Sequence, residues 1–124
     1  MKIGSILENQ NLEKRIAITP EVVKKYISLG FEVNLIENYG SHLGIKDENF
    51  KDMGVKISKD ESQILNSSNI IVQLGMLSDD KILKMKEDQI LIGVLNPYKN
   101  KEKLENLAKK KNQFFFFRIA SKNY

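Results

Sequence analysis

Two stretches, NIIVQLGML at 69–77 and QILIGVL at 89–95, are apolar almost without interruption, yet far shorter than the roughly 20 residues that cross a bilayer. A strand with one wet face alternates apolar and polar side chains. A short continuous apolar run belongs instead to a strand covered on both faces, as in a parallel sheet flanked by helices.

The rest of the chain supplies the other layers. Lys2 to Leu7 reads as a first strand, followed by the polar connection ENQNLEKR. In IAITPEVVKKYISLG, Thr19 is placed to cap a helix, Pro20 sits at its first position and Glu21 favours its positive end. Val22, Val23, Tyr26, Ile27 and Leu29 form its apolar stripe, and Gly30 stops it. FEVNLIE alternates like a strand through Phe31, Val33 and Leu35, with Ile36 less regular. A loop with glycines at 40 and 44 leads to a short helix from Asp47, closed by Gly54. VKI is a brief strand, DESQILNSS and SDDKILKMKED are helices, and NKEKLENLAKKK is a helix with Leu104, Leu107 and Ala108 inward. QFFFF then falls where a sixth strand begins. This alternation predicts a Rossmann-like (flavodoxin-like) α/β fold, a doubly wound, mostly parallel sheet with helices on both faces.

Composition removes several functions. With no cysteine and a single histidine, His42, neither disulfides nor a thiolate or histidine metal centre can form. Lysine and arginine total 20 against 16 acids, but apart from Lys109 to Lys111 the excess is dispersed and no aromatics alternate with it, so no nucleic-acid partner is expected. MKIGSILENQ lacks the charged-then-apolar pattern of a signal peptide, which with the short apolar runs predicts a cytoplasmic protein.

Chemistry-bearing motifs are sparse. A dinucleotide fingerprint needs glycines directly after the first strand, so that backbone N–H groups approach a pyrophosphate, and ENQNLEKR has none. GSHLG reads as a flexible turn or, less simply, a phosphate loop. Arg15 follows the first strand, where open α/β sheets place ligand groups, and could fork onto a carboxylate or pair with Glu8 or Glu13. Gln73, Gly75 and Asn96 are directed toward the same sheet edge. Amides do not titrate at neutral pH, and the paired acids Asp79 and Asp80 sit at a helix start, so no acid–base pair emerges. A Ser/His/Asp triad would have only His42 as its base and no strained nucleophile turn.

EKRIAITPE, LGFEVNLIENYG, DMGVKI, NIIVQLGML and QILIGVLNPYKN, in this order, resemble the N-terminal domain shared by alanine dehydrogenases and the alpha subunit of proton-translocating NAD(P) transhydrogenase. In alanine dehydrogenases, the resemblance implies, Arg15 would bind the substrate carboxylate, while a lysine and a histidine would stand where this chain has Gly75 and Asn96. Neither present residue can polarise a keto group or exchange its proton. LNPYKN instead looks like the transhydrogenase pattern, a branch in which the protein positions two nicotinamides for direct hydride transfer. The resemblance thus implies a transhydrogenase alpha subunit, with NAD and NADP as cofactors of the intact enzyme. Its partners would be an NAD-binding domain, a membrane subunit, an NADP-binding subunit and a second alpha subunit. In the intact complex the chain would be peripheral, on the cytoplasmic side of the inner membrane. By itself the fragment is expected to bind no cofactor and to be inactive.

The resemblance also touches the tail. Phe115 to Tyr124 can be encoded as TTT TTC TTT AGA ATT GCT TCC AAG AAT TAC, and from the second base that string reads F-S-L-E-L-L-P-R-I-T, close to the family's LELxPRIT segment. Residues 1–113 are therefore expected to form the domain and 114–124 to be an out-of-frame tail, so that no family role passes to Arg118. Two other readings stay open: a stand-alone flavodoxin-like binding or regulatory domain, and a relative of alanine dehydrogenase.

Overall fold

A computed structural model describes residues 1–93 and 100–116. Six strands, β1 (Lys2–Ser5), β2 (Glu32–Ile36), β3 (Lys56–Ser58), β4 (Ile70–Gln73), β5 (Ile90–Gly93) and β6 (Gln113–Phe116), form one sheet in the order β3-β2-β1-β4-β5-β6. Every pairing is parallel. Five helices, α1 (Pro20–Ser28), α2 (Asp47–Asp52), α3 (Glu61–Ser67), α4 (Asp79–Leu83) and α5 (Lys101–Lys109), and a 3-10 turn at Ser41–Leu43 connect them. This is the Rossmann variant of the expected doubly wound fold.

Local chemistry accounts for the elements. Thr19 is extended and its hydroxyl accepts the Val22 N–H at 3.4 Å, while Pro20 opens α1 where a missing N–H costs nothing. Gly30, at φ +91°, turns the chain left-handed after the helix, a conformation open to glycine at little cost. The apolar stripe predicts an inward Leu29; α1 ends at Ser28, so Leu29 caps the helix and is 72% exposed. Ala108 also faces solvent, while Leu104 and Leu107 are buried as expected.

Val33 through Ile36 are buried without alternation, because β2 is covered on both faces. After an exposed Glu32, the expected half-buried pattern thus gives way to four consecutive interior residues that include Asn34. Helix α3 packs across β1, β2 and β3. It comes close because Gly4 has no side chain: a Cβ there would stand 2.0 Å from Ser68 Oγ and 2.9 Å from Ile64 Cγ2. The interior is filled by Ile6, Ile18, Leu35, Phe50, Ile71 and Leu107, all essentially inaccessible to water.

Candidate functional site

Strand β1 lies between β2 and β4, so successive crossovers leave it in opposite directions. Open α/β sheets bind ligands just beyond the carboxyl ends of the strands flanking such a switch point. A crevice of about 480 Å³ opens there, lined by Leu7, Glu8, Gln73, Gly75, Lys81 and Lys103 among others.

Its floor is built by two side chains acting in place of backbone. The β1–β4 register runs only from Ile3↔Ile70 to Gly4↔Ile71, after which the strands separate. Gln73 spans the gap: its Oε1 accepts the Ile6 N–H at 2.7 Å and its Nε2 donates to the Ile6 carbonyl at 3.1 Å. The amide thereby extends the ladder as an inserted peptide would. Gln73 Nε2 also donates to Glu8 Oε2 at 2.9 Å. The Glu8 carboxylate accepts the N–H groups of Leu74 at 2.7 Å and Gly75 at 3.0 Å. Burial pushes the Glu8 pKa up, and these hydrogen bonds offset part of that rise.

Behind the floor, Ser5 Oγ donates to the Val72 carbonyl at 2.6 Å and lies 2.9 Å from Tyr39 Oη, which accepts the Ile18 N–H at 3.1 Å. Tyr39 is buried, and its phenol pKa is pushed up to about 12, chiefly by desolvation. The connection above is pinned by His42, whose Nε2 lies 2.7 Å from the Lys14 carbonyl and Nδ1 3.2 Å from Gln10 Nε2. The carbonyl can only accept, so Nε2 carries the proton and Nδ1 accepts from the glutamine.

Of the residues singled out in the sequence, Gln73 and Gly75 meet in the crevice. Arg15 is held elsewhere: its Nε and Nη2 fork onto Glu13 at 2.9 and 2.7 Å, its side chain is 63% exposed, and Glu13 is held below the usual carboxylate range. Asn96, like Arg118, lies outside the described residues. Glu8, Ser5 and Tyr39 do not stand out in the sequence as site residues. Only the placement of Glu8 just past the first strand could have signalled its role, because its partners are more than sixty residues away.

The arrangement orients backbone and shapes a wall; it does not present a poised acid–base pair. Tyr39 is locked as a phenol beneath the surface, and the oxygens of Glu8 are occupied by donors. These residues do not fit a dinucleotide pyrophosphate either. The amides of Leu74 and Gly75, which would have to face it, are taken by a carboxylate, and that charge repels phosphate. Among the described residues no acidic or histidine cluster could hold a metal ion, and no helix is long and apolar enough to cross a membrane.

The fold, with no glycine in the turn after β1, defines a Rossmann-like domain of the dehydrogenase type that, among the described residues, holds no phosphate cradle at this switch point. A family profile described as "Alanine dehydrogenase/PNT, N-terminal domain" matches residues 4–117, and the chain belongs to that family. Similar curated proteins include the first part of the NAD(P) transhydrogenase alpha subunit of Rickettsia prowazekii, 35% identical over 114 residues, or 89% of this chain and 30% of that protein. Its counterpart in Rhodospirillum rubrum is 34% identical over 116 residues, or 90% and 30%. The chain thus spans under a third of these relatives. Among solved structures, the transhydrogenase from Sinorhizobium meliloti superposes with a TM-score of 0.86 at 23% identity, over 97% of this chain and 37% of that one. An L-alanine dehydrogenase superposes at 0.85 and 22% identity, over 94% and 32%.

Proposed function

We propose that this chain is the N-terminal part of a transhydrogenase alpha subunit, an enzyme that passes a hydride from NADH to NADP and couples it to proton translocation. Within it, the chain forms one wall of the cleft, and an NAD-binding domain, an NADP-binding subunit and a membrane subunit supply the rest. In that assembly it pairs with a second alpha subunit on the cytoplasmic side of the inner membrane.

The observation that carries this reading is Gly75. A Cβ at this position would stand 3.3 Å from Glu8 Oε1, so the wall is closed by backbone and a carboxylate where an amino-acid dehydrogenase of this family would need a lysine. The identity of 34–35% to transhydrogenase alpha subunits supports the same branch.

Calorimetric titration of the purified chain with NADH tests the division of labour. No heat of binding in the micromolar range is expected, and micromolar affinity would overturn the assignment of NAD to another domain. The out-of-frame reading of residues 114–124 belongs to the same proposal. Sequencing the gene from codon 112 decides it: codons incompatible with the second-base reading, or no NAD-domain coding downstream in any frame, would sink it.

A further inference from the structure

At the opposite end of the sheet, where β1, β2 and β3 begin, a second set of polar groups converges. Asn34 stands beside Gly4 of β1 and Lys56 of β3. It is 7% exposed, and among the described residues its side-chain amide makes no hydrogen bond. The amide borders open cavities, where water or a ligand can complete its hydrogen bonds.

Asn34 borders two adjoining cavities of about 50 and about 500 Å³, and Lys2 and Lys56 border both as well. The smaller is completed mainly by Ser58, Gln63 and Ser67, and no carboxylate lines it. Gln63 Oε1 is already occupied by the Ser58 hydroxyl at 3.2 Å, which leaves the NH2 group as what Gln63 can offer. Two lysines and two amide side chains therefore line a space with room for a headgroup of a few atoms. The larger cavity adds an apolar wall of Ile27, Phe31 and Val33, and Glu32 also lines it.

Across the two cavities two lysines stand against one carboxylate, a balance that favours an oxyanion, and the apolar wall favours one attached to a hydrocarbon or ring body. We propose that these joined cavities bind a small organic oxyanion, a carboxylate or a phosphate ester, with its charged head among Lys2, Asn34 and Lys56 and its body along Ile27 and Phe31. The site is separate from the crevice and does not depend on the transhydrogenase reading.

Heteronuclear NMR titration of the full chain with benzoate, phenyl phosphate and the neutral benzyl alcohol tests it. Saturable shifts are expected at the Asn34 side-chain NH2 and the Lys2 and Lys56 amides with at least one anion, and none with the alcohol. The tighter anion identifies the headgroup. Lys56→Ala and Lys2→Ala should each weaken binding at least about fivefold, as loss of a charge-assisted hydrogen bond does, with the spectrum otherwise preserved. The proposal is overturned if neither anion saturates, if the alcohol binds equally, if Lys81 and Lys103 respond as strongly, or if both alanine variants bind like the parent.

Discussion

Gln73 is the residue on which the crevice depends most. Its amide closes a gap between two parting strands and holds Glu8 in place. Gln73→Leu preserves the volume, strands the Ile6 N–H and the Ile6 carbonyl, and leaves Glu8 Oε2 with the Leu74 N–H alone; a loss of about 2–4 kcal/mol in urea unfolding is expected, more than one net hydrogen bond. Tyr39→Phe should lose about 1–2 kcal/mol, since Ile18 N–H keeps no acceptor. The phenol also sets a pH window. Its folded pKa, about 12, exceeds the ordinary 10.0, so its contribution is complete below pH 10 and is lost as pH rises through 12. Ultraviolet titration should show one tyrosine ionising only with the alkaline unfolding transition. Glu8 follows the same sign in the acid range. Its folded pKa is raised above 4.5, so the stability advantage of the parent over Glu8→Gln should shrink as pH rises from below 4.5 to neutrality, a trend that urea midpoints across pH would reveal.

Among the elements, α3 is seated most tightly, and Gly4 is the reason. Gly4→Ala forces a Cβ into Ser68, and a loss of about 1–3 kcal/mol is expected, partly recovered by adding Ser68→Ala, which removes the nearest atom. Equilibrium unfolding of the single and double variants measures both. The elements themselves were largely legible: Thr19, Pro20 and Gly30 delimit α1 through rules that act within a few residues. What was not legible is long-range. NIIVQLGML reads as one strand to Leu77, yet β4 ends at Gln73, because Glu8 captures the next two N–H groups and bends the chain away. Arg15, by contrast, forms the local pair with Glu13 that its position offered beside a ligand-clamping role. No periodicity in β2 separates Asn34 from a solvated polar residue, since its burial comes from α3.

On the scale of the whole molecule the sheet is asymmetric. The β3 edge is short, while β6 presents an outer edge that pairs with no strand among the described residues, and Phe115 there is 53% exposed. An apolar edge strand is a template for association. Sedimentation velocity of the purified chain should show concentration-dependent self-association, and Phe115→Lys should shift it toward monomer; a monomer at every concentration would argue that the edge is masked.

The strand order also has a consequence for how the chain comes into being. β1 leaves the ribosome first and ends at the centre of the sheet, but its second neighbour, β4, is not synthesised until residue 70. The nascent chain can therefore assemble only a three-stranded half until then, and afterwards each new strand is added at the growing rim. Among the described residues β6 is the last of these, and its principal neighbours there are β5 and α5. The first strand made is thus the one whose pairing must wait longest to be complete.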